Sequence, residues 1–134
     1  MTSYYLIYAI MTMLEGILFE DCGMEPPNFK LKNDKYRKAR GGEAHLLDIY
    51  CVQCNGHLMK YQKDGKGQLM RCYLNRIFHP PALERLQYTI AYLKQMSNLV
   101  CLSCSTVIGT PMVYDDGRLA FRLRKGFYSK KRAD

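Results

Sequence analysis

Several kinds of catalytic apparatus are missing from this 134-residue chain. No glycine-rich loop is spaced to cradle phosphates, no pair of carboxylates is placed for acid–base work, and no nucleophile has an evident base beside it. An enzyme is therefore the weakest of three functional readings. Lysine and arginine are absent from the first nineteen residues and no small-residue cleavage site is visible, so no secretory signal is expected. The same stretch is apolar, yet Glu15 interrupts it and no basic flank anchors it, which argues against a membrane anchor. Acidic residues are also scarce. The 12 Asp+Glu against 20 Lys+Arg leave a formal charge of +8.

The length suits one domain with appendages. Residues 1–24 form an apolar N-terminal segment whose charged residues, Glu15, Glu20 and Asp21, are all acidic. Leu14, Ile17 and Leu18 lie at helical spacing, which predicts a helix or strand packed on the domain or on a second copy of the chain. Residues 25–43, marked by Pro and Gly and carrying the basic run "KNDKYRKAR", read as a linker. Residues 44–128 hold the paired cysteines, and 129–134 form a basic tail. From Gly117 onward, Arg118, Arg122, Arg124, Lys125, Lys130, Lys131 and Arg132 face only Asp134. That density attracts phosphate backbones, acidic lipids or acidic proteins.

Four of the six cysteines are arranged as Cys51-x-x-Cys54 and Cys101-x-x-Cys104. Two cysteines in one tight turn present both sulfurs on the same side of the backbone, which is half of a tetrahedral site; a second such turn completes it with metal–sulfur bonds of about 2.3 Å. A redox CxxC usually opens a helix that lowers one thiol's pKa, and neither pair here does so. The leading expectation is one zinc per chain held by Cys51, Cys54, Cys101 and Cys104, with iron, a redox pair and disulfides as the alternatives. Four thiolates would close the metal to water, so its role would be structural. Cys22 and Cys72 fall outside the pattern, and Cys72 reads as a buried small thiol. With four sulfurs available, His45, His57 and His79 read as turn or surface residues.

Aligned on their cysteines, the two halves of the chain repeat. Cys54 is followed by Leu58, Asp64-Gly65 and Arg71; Cys104 is followed by Ile108, Asp116-Gly117 and Arg122. Each half is predicted to be a knuckle plus a hairpin, with Asp-Gly as the tight turn. Between the halves, Leu83, Leu86, Ile90 and Leu93 recur at three- and four-residue steps behind Pro80-Pro81, which predicts an amphipathic helix over 81–97. Tyr88 and Tyr92 read as the edge of its core face, with stacking on a base or a partner as the alternative.

Two CxxC turns, each followed by strands, resemble the zinc ribbons and zinc-clasped β folds. Within that class, "CVQCNGHL" and "CLSCSTVIG" are similar to the yippee-type pattern, and the spacing is like that of the zinc site in B-type methionine sulfoxide reductases. Small prokaryotic zinc-ribbon proteins are similar over "GGEAHLLDIYCVQC" and "KDGKGQLMRCYLNRI". The resemblance implies a small α+β fold of antiparallel hairpins clasped by one zinc, zinc ribbon or β-tent-like, and a metal role for the four cysteines alone. Tryptophan, which ligand-binding yippee relatives use as a cage, is absent, and Asn55 and Ser105 stand where ribbon knuckles carry Gly.

The expected function is a non-enzymatic zinc module that binds a partner, foremost nucleic acid, through a basic surface. Its candidate residues are Lys60, Lys63, Lys66, Arg71, Arg76, Arg118, Arg122, Arg124 and Lys125, interleaved with Tyr61, Tyr73, Phe121, Phe127 and Tyr128. Cations hold phosphates and aromatics stack on unpaired bases. The alternative is a protein-interaction or assembly module, a homo-oligomer through the N-terminal segment or the helix, and the third is an iron electron-transfer or redox protein. Zinc-bound thiolates persist in reducing surroundings, so a cytoplasmic location is expected.

Overall fold

The computed structural model describes residues 29–133, so the expectations for residues 1–24, Cys22 included, lie outside the described residues. The first helix among the described residues is α1 (Lys35–Ala39), where the Asp34 carboxylate caps the helix by accepting from the Tyr36 and Arg37 amides. The strand β1 (Ala44–Cys51) then buries Leu46, Leu47, Ile49 and Cys51. It runs antiparallel to β2 (His57–Asp64), with Leu47 opposite Tyr61 and Ile49 opposite Met59. The first cysteine knuckle is itself the hairpin loop between them.

After β2 the chain crosses to a second sheet. The strand β3 (Arg71–Tyr73) leads through a 3-10 turn, Leu74–Arg76, into β4 (Ile77–His79), and only β4 returns to β2. Two single helical turns follow, α2 (Pro81–Glu84) and α3 (Leu86–Thr89), then a 3-10 turn over Leu93–Gln95. The strands β5 (Leu99–Val100) and β6 (Val107–Val113) flank the second knuckle, and β7 (Leu119–Leu123) and β8 (Tyr128–Arg132) complete the fold. One sheet has the order β4-β2-β1-β8 and the other β3-β7-β6-β5. All their pairs are antiparallel. The described residues form a small α+β fold with few helices.

Each half of the chain thus lends a strand to the other half's sheet: β3 pairs with β7, and β8 pairs with β1. A single core lies between them, drawing Ile49, Met59, Tyr61 and Ile77 from one sheet and Cys72, Ile108, Ala120 and Phe121 from the other. Each of the large apolar side chains removed from water there contributes about 1.5–3 kcal/mol before the entropy cost of ordering.

Four expectations are corrected. Asp64-Gly65 does not close a hairpin between β2 and β3; it redirects the chain between sheets, with Gly65 at a φ of 76° and its amide donating to the Glu43 carbonyl. The second Asp-Gly does close a hairpin, between β6 and β7. The four-turn helix over 81–97 is broken, because Ile90 is extended after the β-branched Thr89. Leu83, Leu86 and Ile90 nonetheless pack half-buried against the core, whereas Leu93 is exposed, so the spacing marked part of a packed face without specifying a continuous helix. Residues 129–132 are not a tail but most of β8. Finally, the linker's residues from Lys32 onward are fastened to the domain: the Lys32 amide donates to Gln62 Oε1 at 2.6 Å, and Gln62 Nε2 returns a bond to the Lys32 carbonyl at 2.9 Å.

Candidate metal centre and basic surface

The two knuckles fold alike because the same backbone bonds close them. The Cys51 amide donates to the Gly56 carbonyl at 2.8 Å and the Asn55 amide to the Cys51 carbonyl at 2.8 Å; Cys101 with Thr106 and Ser105 with Cys101 repeat this at 2.9 and 2.8 Å. Both turns need a left-handed residue after the second cysteine, and Asn55 (φ 60°) and Ser105 (φ 63°) supply it. Asn accepts this conformation at little cost through local hydrogen bonding, whereas a β-branched residue cannot. Replacing Ser105 with Val is expected to cost about 1–2 kcal/mol, while Ser105→Gly is tolerated. Thermal melts of the two variants check this, and equal melting would show that the turn is not constrained as described.

The knuckles bring Cys51, Cys54, Cys101 and Cys104 together, with all four sulfurs within 4.8 Å of one another. Cys51 Sγ lies 3.6 Å from Cys104 Sγ, and Cys54 Sγ lies 3.5 Å from Cys101 Sγ. These are close to the ~3.8 Å edge of a tetrahedron with metal–sulfur bonds of about 2.3 Å. The group can hold a metal ion. Cys51 and Cys101 face the core, while Cys54 and Cys104 face solvent. The Thr106 hydroxyl, 3.1 Å from Cys104 Sγ, and the Thr106 amide hold that thiol down at about 6, so it is ready as a thiolate. At Cys54 the Gly56 amide pulls downward, but hydrogen bonding among the sulfurs, Cys101's first, carries the thiol up to about 12. Gly56 is held small by the junction, since a Cβ there would lie 3.2 Å from Cys54 Sγ and 3.3 Å from Ser103 Oγ.

Cys72 stands apart, fully buried in the core, and burial pushes its thiol far up. No histidine joins the four sulfurs: His57 Nε2 pairs with Asp48 Oδ1 at 2.7 Å, and His45 pairs with Glu43 at 3.3 Å.

The expected basic surface divides. Arg76 is not on it, being fully buried and bonded to Asp34 and Asp64. Lys60 is held by Asp48 at 2.9 Å, and Lys66 is exposed in the turn after β2. Arg124 is exposed, lies over the Phe127 ring and donates to the Val107 carbonyl. Of the interleaved aromatics, Tyr61, Tyr73 and Phe121 are buried and cannot stack on a ligand, as alternation along a strand requires of one face.

Arg71, Arg122 and Lys125 do converge, together with Lys130, on a groove of about 620 Å³ between the β3 approach and β8. No carboxylate among the described residues lines it. Leu69, Leu123 and Tyr128 give it an apolar wall, the Tyr128 hydroxyl donating to the Leu69 carbonyl, and Met70 projects 58% exposed. The outer backbone groups of Tyr128 and Lys130 face away from β1, because in this register Phe127, Ser129 and Lys131 make the ladder bonds. Lys63, Arg71 and Arg118 meet Arg40 at a second, smaller cavity. Lys130 and Arg40 were not among the predicted site residues. The run of cations after Gly117 was a signal for the first; Arg40 lay in a stretch read as linker.

No helix among the described residues is long and apolar enough to cross a membrane. The chain matches no protein-family model, no curated protein and no solved structure.

Proposed function

We propose that the chain is a non-enzymatic module in which one zinc ion, held by Cys51, Cys54, Cys101 and Cys104, clasps two sheets that present a groove to single-stranded nucleic acid. The observation that carries this reading is the groove with Arg71, Arg122, Lys125 and Lys130 on its walls and no carboxylate among the described residues that line it. Its cations suit phosphates, and Met70, Leu69 and the Tyr128 ring offer apolar surfaces to bases. A groove of that volume falls in the range of small-ligand sites, so it seats a short stretch of strand. Zinc fits the donor set because four thiolates in tetrahedral array are its usual structural shell. When bound it would supply a cross-link between the knuckles and no reaction.

Binding is tested by fluorescence anisotropy with single-stranded DNA and RNA across a salt series. Four phosphate contacts predict a slope of log K against log salt near −3, and each groove cation neutralised, as in Arg122→Gln or Lys125→Gln, should take about 0.7 off it. Salt-independent capture of another protein would instead favour the assembly reading. Leu102, 94% exposed at the second position of its knuckle, and Val52, exposed at the matching position of the other, give that reading its surface. Elemental analysis separates zinc from iron, and an iron site of this kind would be coloured.

A further inference from the structure

The segment Gln68–Arg71 is shared by two cavities, the groove on one side and a cavity of about 40 Å³ on the other. Arg40, Lys63, Arg71 and Arg118 wall the smaller one. Its one carboxylate among the described residues, Asp64, is already engaged, by Arg76 Nε at 2.7 Å and by Gln62 Nε2 at 2.8 Å. The Tyr73 hydroxyl accepts from Arg71 Nε at 3.1 Å and from Arg40 Nη2 at 3.5 Å, which holds both guanidinium groups at the wall. The terminal nitrogens of Arg71 have no hydrogen-bond partner among the described residues. Burial depresses the Lys63 ammonium, and Lys130 and Arg40 push it the same way while Asp64 and Glu43 pull it up; Arg118 is paired with Asp116 at 2.9 Å.

About 10–15 Å³ admits one water, so this space takes about three, the number of free oxygens on a phosphate monoester. A terminal monoester carries up to about two negative charges, more than an internal diester does, which suits a wall of several cations. We propose that the cavity of Arg40, Lys63, Arg71 and Arg118 is a phosphate-monoester subsite that takes the phosphorylated end of a strand lying in the groove. The proposal rests on the nucleic-acid reading above. Arg71 belongs to both cavities, so the end of a strand in the groove lies beside the subsite.

The test compares three versions of one short single-stranded oligonucleotide on the full chain: 5′-phosphorylated, 3′-phosphorylated and with hydroxyls at both ends. One phosphorylated form is expected to bind at least about tenfold tighter than the hydroxyl form, the effect of one good charge-assisted hydrogen bond. Arg40→Gln and Lys63→Gln should collapse that ratio, which is the readout, and thermal melts confirm that the variants fold. Equal binding of all three forms overturns the subsite and leaves the nucleic-acid reading standing. If no oligonucleotide binds, inorganic phosphate decides: a saturable rise in melting temperature in the parent and not in the variants keeps the subsite while the nucleic-acid reading falls. No rise ends both.

Discussion

Replacing Cys101 with serine is expected to remove the metal and unfold or aggregate the domain at room temperature. The proposed ion joins the β1–β2 loop to the β5–β6 loop, and those hairpins belong to different sheets. Its loss therefore removes a cross-link between layers and not a surface ornament. Metal affinity for thiolate sites of this kind is folding free energy, of order 10 kcal/mol in small zinc domains. That rivals the whole stability of a domain this size, about 5–15 kcal/mol. The substitution also leaves a hydroxyl where Cys101 is 2% exposed, so the inner cysteines, Cys51 and Cys101, should matter more than the outer pair, Cys54 and Cys104. A chelator should lower the parent's melting temperature in the same direction, while Cys72→Ser should cost far less and keep the metal. Metal content by elemental analysis together with a thermal melt decides it. A Cys101→Ser protein that melts with the parent would sink the structural-metal reading, and one that loses the metal yet stays folded would show that the interleaved sheets suffice.

The cysteine spacing was legible because a knuckle is local: its bonds span five or six residues, and a turn of that size is written in consecutive positions. The β6–β7 hairpin was legible for the same reason, through Asp116-Gly117. What was hidden was partner choice. Alternation in "LMRCYL" marks β3 as a strand but carries nothing about β7, fifty residues on, and an Asp-Gly turn looks the same whether it closes a hairpin or hands the chain to another sheet. The basic surface failed in part for a related reason. A sequence shows that Arg76 is charged; that it is buried follows only from Asp34 and Asp64 reaching it, and Asp34 is forty-two positions away. The one local hint was its place between Leu74 and Ile77, both core residues.

That arginine carries the second large effect. Arg76→Met is expected to destabilise the domain by about 3–5 kcal/mol, the cost of leaving a buried charge without its partner. Arg76 has no solvent exposure, its Nε holds Asp64, and its terminal nitrogens hold both oxygens of Asp34. Asp64 is itself only 8% exposed, so it becomes the orphan once the guanidinium is gone. Arg76→Met with Asp64→Asn should recover part of the loss, since an amide buries more cheaply than a carboxylate. The same site sets an acid limit. The hydrogen bonds from Arg76, with those of the Arg37 and Tyr36 amides, hold the Asp34 carboxyl well below its ordinary range. A lowered folded pKa gives stability that is present above the unfolded carboxyl's pKa of about 4 and is lost as pH falls below it. The parent should therefore lose stability in acid more steeply than Asp34→Asn does. Because Asp34 also caps α1 and Arg118 lies between the Tyr36 and Tyr73 rings, 3.9 and 3.8 Å from them, loss of Arg76 should first free residues 32–40. Hydrogen exchange can watch this. Faster exchange confined to that segment would identify Arg76 as the clasp on what the sequence presents as a linker, and uniform loss of protection would make it a core element of the whole fold.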